Sequence, residues 1–286
     1  MARNSFDRLG IDESKKQASA PPQLSKDDSS DFKFTTPTEF VELPTKGKYY
    51  PEGHPLYGKE SVEIRFMTAK EEDILSSLTL IKNNMVIERL LQSVMVDKGV
   101  NLDLLFTGDK NALIVATRIT GYGPEYKTQV ICPMCYTNQT YDFDLSELTL
   151  YEGGDYNNFD IEESGEGTFF IDLPMSKVRT EVRLMLGKDE KYLAELAATK
   201  KKQNLLESPL TDQFKRIIVS VNGDHNKRSV NQFVDCMPAR DSRYLRAAYA
   251  RVVPDVDMKY EFGCSNCGHQ TRLEVPLNAG FLWPGR

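Results

Sequence analysis

The sequence repeats itself, and two C-x-x-C pairs set the register of the repeat. Cys132-x-x-Cys135 recurs as Cys264-x-x-Cys267, 132 positions later. The same displacement relates Asp109 to Asp241, Leu113 to Leu245, and the alternating Tyr141, Phe143 and Leu145 to Leu273, Val275 and Leu277. Upstream, Phe40-Val-Glu-Leu-Pro44 matches Phe170-Ile-Asp-Leu-Pro174, and Glu63-Ile-Arg-Phe-Met-Thr-Ala-Lys-Glu-Glu72 matches Glu181-Val-Arg-Leu-Met-Leu-Gly-Lys-Asp-Glu190. The matches keep their order, and the changes of displacement, to 130 and 118 positions, are ordinary insertions. Chance supplies one such match but not an ordered series. The chain therefore reads as a tandem duplication, with copies at 36–150 and 168–286.

What lies outside the copies has a different composition. Residues 1–35 are rich in Ser, Lys, Asp and Pro and offer no repeating apolar face, so they read as a disordered or partner-docking tail. Phe6, Leu9 and Ile11 have nothing local to pack against and are candidate partner-docking residues. Residues 151–167 are acidic and Gly-rich, as expected of a linker or long surface loop.

Each copy has the same expected plan. A strand near 62–67, or 178–185 in the second copy, runs into a helix, which Thr68 and Glu71 open in the first copy with capping-box spacing. Further helices are expected near 85–96 and 109–120, and then near 188–205, 211–220, 229–236 and 241–252, with Asp109 and Asp241 as N-caps. Two short strands joined at the C-x-x-C turn end each copy. The fold class is α+β: a pseudo-twofold tandem repeat of a strand framework with inserted helices, each repeat ending in a zinc-knuckle hairpin.

The cysteines carry the only chemistry that the pattern suggests. A C-x-x-C turn aims two thiolates at one point, and two such turns complete the four-cysteine set of a structural zinc. Cys132, Cys135, Cys264 and Cys267 are thus the expected ligands of one shared structural Zn2+. From Tyr136 to Gly263 the intervening segment is 128 residues. Closing so long a loop costs only about 4 kcal/mol, against roughly 10–16 kcal/mol apparent for structural zinc in small peptides. Iron in a rubredoxin-like setting, suggested by Pro133 and Gly268, and reduced, metal-free thiols are the alternatives. A redox C-x-x-C sits between a strand and a helix, whereas both flanks here read as strands. Cys236, flanked by Val234 and Met237, reads as a small buried hydrophobe.

Other function classes are disfavoured. There is no P-loop, no G-x-G-x-x-G and no G-x-S-x-G, and His54 and His225 lie in loops without a nearby nucleophile, so no enzyme and no small-molecule substrate are expected. His269 reads as a turn residue and Lys200-Lys-Lys202 as the solvated end of a helix. A net charge of −6, from 36 Lys and Arg against 42 Asp and Glu, argues against nucleic-acid binding, although a zinc-ribbon regulator is the second function considered. No run approaches the roughly 20 apolar residues of a membrane span. The charged N-terminus lacks a signal-peptide apolar stretch, which implies folding in a reducing cytoplasm.

Several segments together resemble a known family. They are Phe66-Met-Thr-Ala-Lys-Glu-Glu-Asp-Ile-Leu75, the Gly108-Asp-Lys-Asn-Ala-Leu113 run continuing to Arg118-Ile-Thr-Gly-Tyr-Gly-Pro-Glu-Tyr126, Met237-Pro-Ala-Arg-Asp-Ser-Arg-Tyr-Leu-Arg246, and the Phe281-Leu-Trp-Pro284 ending. Over 36–286 the chain is similar to the T4-like bacteriophage baseplate proteins, hub-associated components of contractile tails. The resemblance implies a non-enzymatic virion component, assembled in the host cytoplasm, whose partners are other baseplate and tail proteins. Phe281 and Trp283, beyond the last expected strand, either fold back on the core or dock to a neighbouring subunit.

Overall fold

Short alternating runs make the strands, and amphipathic segments between them make the helices. The computed structural model describes residues 36–286 apart from 157, 166, 277, 278 and 284–286, so Phe6, Leu9 and Ile11 lie outside the described residues. Val41 opposes Val62 where β1 (Thr38–Glu42) and β2 (Ser61–Arg65) pair antiparallel, and alternation puts Ile64 on the same buried side. Helices α1 (Ala69–Ser76), α2 (Leu78–Lys82), α3 (Val86–Val94) and α4 (Thr107–Tyr122) follow. The antiparallel hairpin of β3 (Glu125–Ile131) and β4 (Asn138–Asp144) comes next, then β5 (Thr149–Tyr151).

The second half begins with β6 (Ile161–Glu163), β7 (Thr168–Asp172) and β8 (Arg179–Arg183). It continues through α5 (Gly187–Lys202), α6 (Pro209–Ile217), β9 (Ile218–Val221), α7 (Lys227–Cys236) and α8 (Ala239–Val252). After β10 (Asp255–Asp257), the strands β11 (Lys259–Gly263) and β12 (Gln270–Glu274) form the second hairpin, followed by α9 (Ala279–Leu282). Strands β6 to β9 form one antiparallel sheet in sequence order, and the other described strands pair two by two. One of those pairs joins the halves: β10 lies antiparallel on β5, with Val256 opposite Leu150.

Three apolar clusters fill the interior. Leu43, Ile64, Leu91, Leu105 and Leu113 belong to the first half, joined by Val256 of the second. Phe169, Ile171, Val182, Leu245 and Ala248 belong to the second half, with Tyr49 and Phe106 of the first packed against them. A third cluster draws on both halves, with Tyr126, Phe143 and Cys132 beside Phe262, Val275 and Cys264. Residues from 36 onward accordingly form one compact unit.

Four fully buried carboxylates tie loops to helices in matching ways. Glu71 accepts from Arg65 at 2.6 Å, Ser93 Oγ at 2.5 Å, and the Thr68 amide and hydroxyl at 3.0 and 2.7 Å. Asp189, at the corresponding turn of the second half, accepts from Arg183 and Arg216, each at 2.6 Å, and from the Leu186 amide. Asp109 accepts from Thr45 N at 3.0 Å, Thr45 Oγ1 at 2.6 Å and Tyr50 Oη at 2.7 Å. Asp241 accepts from the amides of Met175 and Ser176 at 2.8 and 2.7 Å.

Three details differ from expectation. Asp109 and Asp241 are not N-caps; each is the third residue of its helix and turns inward to a loop more than sixty positions upstream. The expected helix over 211–220 stops at Ile217, because Ile218-Val-Ser-Val221 is a β-branched run that pairs with β8. Cys236 is exposed rather than buried. Val230 and Val234 fix the inward stripe of α7, and a residue two positions further on points elsewhere, leaving its thiol to donate to Gln232 O at 3.0 Å. Within 151–167, β6 forms an edge strand and Tyr156 and Phe159 pack on the second-half cluster.

Replacing Asp109 with alanine leaves three donors without an acceptor and is expected to cost about 3 kcal/mol, with Asp109→Asn costing less; urea unfolding of both variants checks this. Burial alone would raise the Glu71 carboxyl, but its bonds from Arg65, Ser93 and Thr68 outweigh it and bring it from 4.5 to about 2. A lowered folded pKa gives stability that is present above the unfolded value and is lost as the pH falls through the folded one. Glu71→Gln should therefore be less stable than the parent at neutral pH, with the difference closing as the pH falls from about 4.5 toward 2. Thermal unfolding across that range measures it.

Candidate metal centre

Each hairpin delivers its cysteines through a tight turn of the same design. In the first, Tyr136 N donates to Cys132 O at 2.9 Å and Cys132 N to Thr137 O at 3.0 Å. In the second, Gly268 N donates to Cys264 O and Cys264 N to His269 O, both at 2.9 Å. The residue after the second cysteine must take a left-handed backbone to close the turn, with φ of 56° at Tyr136 and 71° at Gly268. Glycine adopts this conformation without a Cβ penalty, and tyrosine does not.

Aromatic side chains bring the two hairpins together. Tyr141 packs on Phe262 with ring centroids 5.4 Å apart, and Phe143 meets Tyr260 edge-on at 5.4 Å. Tyr141 Oη donates to Glu261 O at 2.9 Å. Nearer the tips, Gln139 Oε1 accepts from Ser265 N and Oγ at 3.1 and 2.9 Å, and Asn266 Nδ2 donates to Thr137 Oγ1 at 2.9 Å.

The four cysteines meet at the joint so made. Their sulfurs all lie within 4.8 Å of one another. Across the two hairpins, Cys132 Sγ is 3.7 Å from Cys267 Sγ, and Cys135 Sγ is 3.6 Å from Cys264 Sγ. All are free thiols, and these separations are far from the roughly 2.05 Å of a disulfide. Four sulfurs each about 2.3 Å from a central zinc would stand about 3.8 Å apart. The thiols thus have the size and chemistry of a tetrathiolate metal site. Cys132 and Cys264 are buried, while Cys267 is exposed.

The protein environment treats the four thiols unequally. Cys135 lies 3.3 Å from Thr137 Oγ1, and the Thr137 side chain and amide bring it down to about 5, with Asn266 adding to the effect. The Cys267 and Asn266 amides lower Cys264. At Cys267 the His269 amide pulls downward, but partial desolvation of the sulfur and hydrogen bonding with Cys135, Cys264 and Cys132 prevail and push it up to about 12. Neighbouring thiols cannot all ionise together unless a cation joins them. A divalent ion at the centre would remove that opposition.

The family-model comparison matches the T4 bacteriophage base plate protein family over residues 36–282, most of the chain. The chain belongs to that family. Membership supports a structural role in the phage base plate, places the chain among virion components, and points to other phage tail proteins as its partners. Neither the curated proteins nor the solved structures contain a significant match. Among the described residues, no helix is long and apolar enough to cross a membrane.

The remaining sequence candidates take less part in the site. His269 contributes only backbone to the second turn. Phe281 is buried, edge-on to Tyr126 at 5.1 Å, and Trp283 Nε1 donates to Leu75 O at 2.6 Å. Both side chains thus have partners within the chain. Thr137, Gln139, Ser265 and Asn266, which hold the knuckles against each other, were not foreseen from the sequence; nothing in the C-x-x-C pattern marks them.

Tyr136→Gly should stabilise the first knuckle by about 1 kcal/mol, by removing the left-handed Cβ penalty. Gly268→Val should destabilise the second, although its Cβ would meet nothing within 4 Å. Denaturation midpoints of the two variants should move in opposite directions.

Proposed function

We propose that this chain is a structural and assembly subunit in the hub region of a contractile-tail base plate, and that one zinc ion held by Cys132, Cys135, Cys264 and Cys267 pins its two halves together. The carrying observation is the convergence of four free thiols, two from each half, at the spacing of a tetrathiolate centre in a chain of the base plate family. The ion would supply charge neutralisation and a cross-link, and no reaction is assigned to it.

In this reading the halves, 36–150 and 168–286, descend from one unit, with the tail and the 151–167 segment outside it. The buried carboxylates support this. Glu71 with Arg65 and Asp189 with Arg183 occupy aligned positions and hold aligned turns. Asp109 and Asp241, also aligned, receive the backbone amides of Thr45 and Met175, which follow the two matching Leu-Pro pairs. A zinc between equivalent hairpins would sit near the pseudo-twofold axis and join the copies.

A stable cross-link suits an assembly subunit, whose surfaces must keep their relative positions while neighbours bind. Assembly in the host cytoplasm fits as well, because a reducing compartment keeps the thiols available to metal. Zinc quantification on the purified full chain should give about one equivalent. Cys132→Ser and Cys264→Ser should each lose the metal and unfold at lower temperature, and metal loss from only one of them would contradict a shared site. Electron cryomicroscopy of particles lacking this chain should show density missing from the hub, and loss confined to the periphery would count against the hub placement.

A further inference from the structure

A hollow lies away from the cysteines, bordered by α1, α3 and the end of β2. Its volume is about 660 Å³, and it is lined by Arg65, Lys70, Arg89 and Lys98 together with Ile74 and Thr68. Each cation comes from a different element: Arg65 from β2, Lys70 from α1, Arg89 from α3, and Lys98 from the loop that follows. Arg65 is committed to Glu71, and Lys98 Nζ caps α3 through the carbonyls of Gln92, Ser93 and Met95 at 2.8, 3.0 and 2.6 Å. Lys70 and Arg89 are exposed and have no carboxylate partner among the described residues. Glu71 is fully buried beneath Arg65. Lys98 sits below its ordinary value, through burial first and then through the positive charges of Arg65 and Lys70.

The second half differs where Tyr192 aligns with Ile74. There the hollow between α5 and α6 is about 140 Å³. Of its three lining cations, Arg216 pairs with Asp189 and Lys215 with Asp235, each at 2.6 Å, while Lys227 is exposed. The hollow beside α1 and α3 keeps Lys70 and Arg89 open on a chain whose net charge is −6. Unpaired like charges held close in a concavity cost stability, unless an anion occupies it for part of the protein's life.

We infer that the groove between α1 and α3 is a docking site for an acidic segment of another protein, its carboxylates meeting Lys70 and Arg89 and an apolar side chain resting on Ile74. The inference builds on the base plate reading, in which that protein is a neighbouring subunit. A peptide fits better than a nucleic acid. Two free cations flanked by an apolar side chain suit one or two carboxylates in a mixed sequence, whereas they are too few, on a chain of net charge −6, to hold a long polyanion.

The test is fluorescence anisotropy of labelled oligoglutamate with the full chain, at moderate salt. The parent should bind, and Lys70→Glu with Arg89→Glu together should weaken binding about tenfold or more. Lys201→Glu with Lys202→Glu, which makes the same change of charge at the exposed end of α5, should leave binding within about twofold. Unchanged metal content and circular dichroism in both variants keep a folding defect apart from a binding defect. Equal weakening by the two pairs, no binding by the parent, or tighter binding of a single-stranded oligonucleotide of matched charge would overturn the proposal. Because metal content is read separately, failure of the groove and failure of the zinc assignment are distinguishable.

Discussion

Everything in this fold turns on two hairpins that meet although they lie far from one another in sequence. Between Cys135 and Cys264 the chain makes a whole second set of strands and helices before it returns, and the return places Cys264 Sγ 3.6 Å from Cys135 Sγ. A joint of that kind needs strong local interactions, since each hairpin alone is a two-stranded ribbon of marginal stability. The aromatic packing of Tyr141 and Phe143 on Tyr260 and Phe262 supplies the apolar part. The tips, where aromatic cover ends, are left to four thiols and a few polar bonds. A zinc ion bound as proposed would act at that weakest part.

The buried carboxylates extend the same logic to the rest of the molecule. Glu71, Asp109, Asp189 and Asp241 lie at the starts of helices, where macrodipole and free amides favour negative charge, yet each bonds to a strand or loop outside its helix. They fix the entry angle of the helices instead of merely ending them. Glycine has a comparable part at Gly108, where an added Cβ would lie 2.0 Å from Pro254 O; only a bare backbone lets α4 approach the start of β10 so closely. Together with the β5–β10 pair, this contact makes the halves interlock.

Much of this was legible in the sequence. The cysteine pairs, their flanking alternation and the order of matched segments pointed to the hairpins and to helices near their observed ends, because these rest on period and spacing. What escaped depended on long-range partners. Nothing local tells that Asp109 seeks Thr45 and Tyr50, 64 and 59 residues away, instead of capping its own helix. For Ile218-Val-Ser-Val221, pairing with β8 overrides continuation of a helix, and that partner is also distant. Cys236 has apolar neighbours that suggest burial, although helical spacing from Val230 and Val234 would have placed it outside. The basic groove was invisible because its four cations come from separate elements.

The shared tetrathiolate centre stands or falls on X-ray absorption at the zinc edge, measured on the full chain purified without added metal. Four sulfur neighbours at about 2.3 Å, with no nitrogen or oxygen in the first coordination sphere, are the expected result. A mixed sulfur and nitrogen shell, an iron signal in place of zinc, or no bound metal in folded protein would refute it.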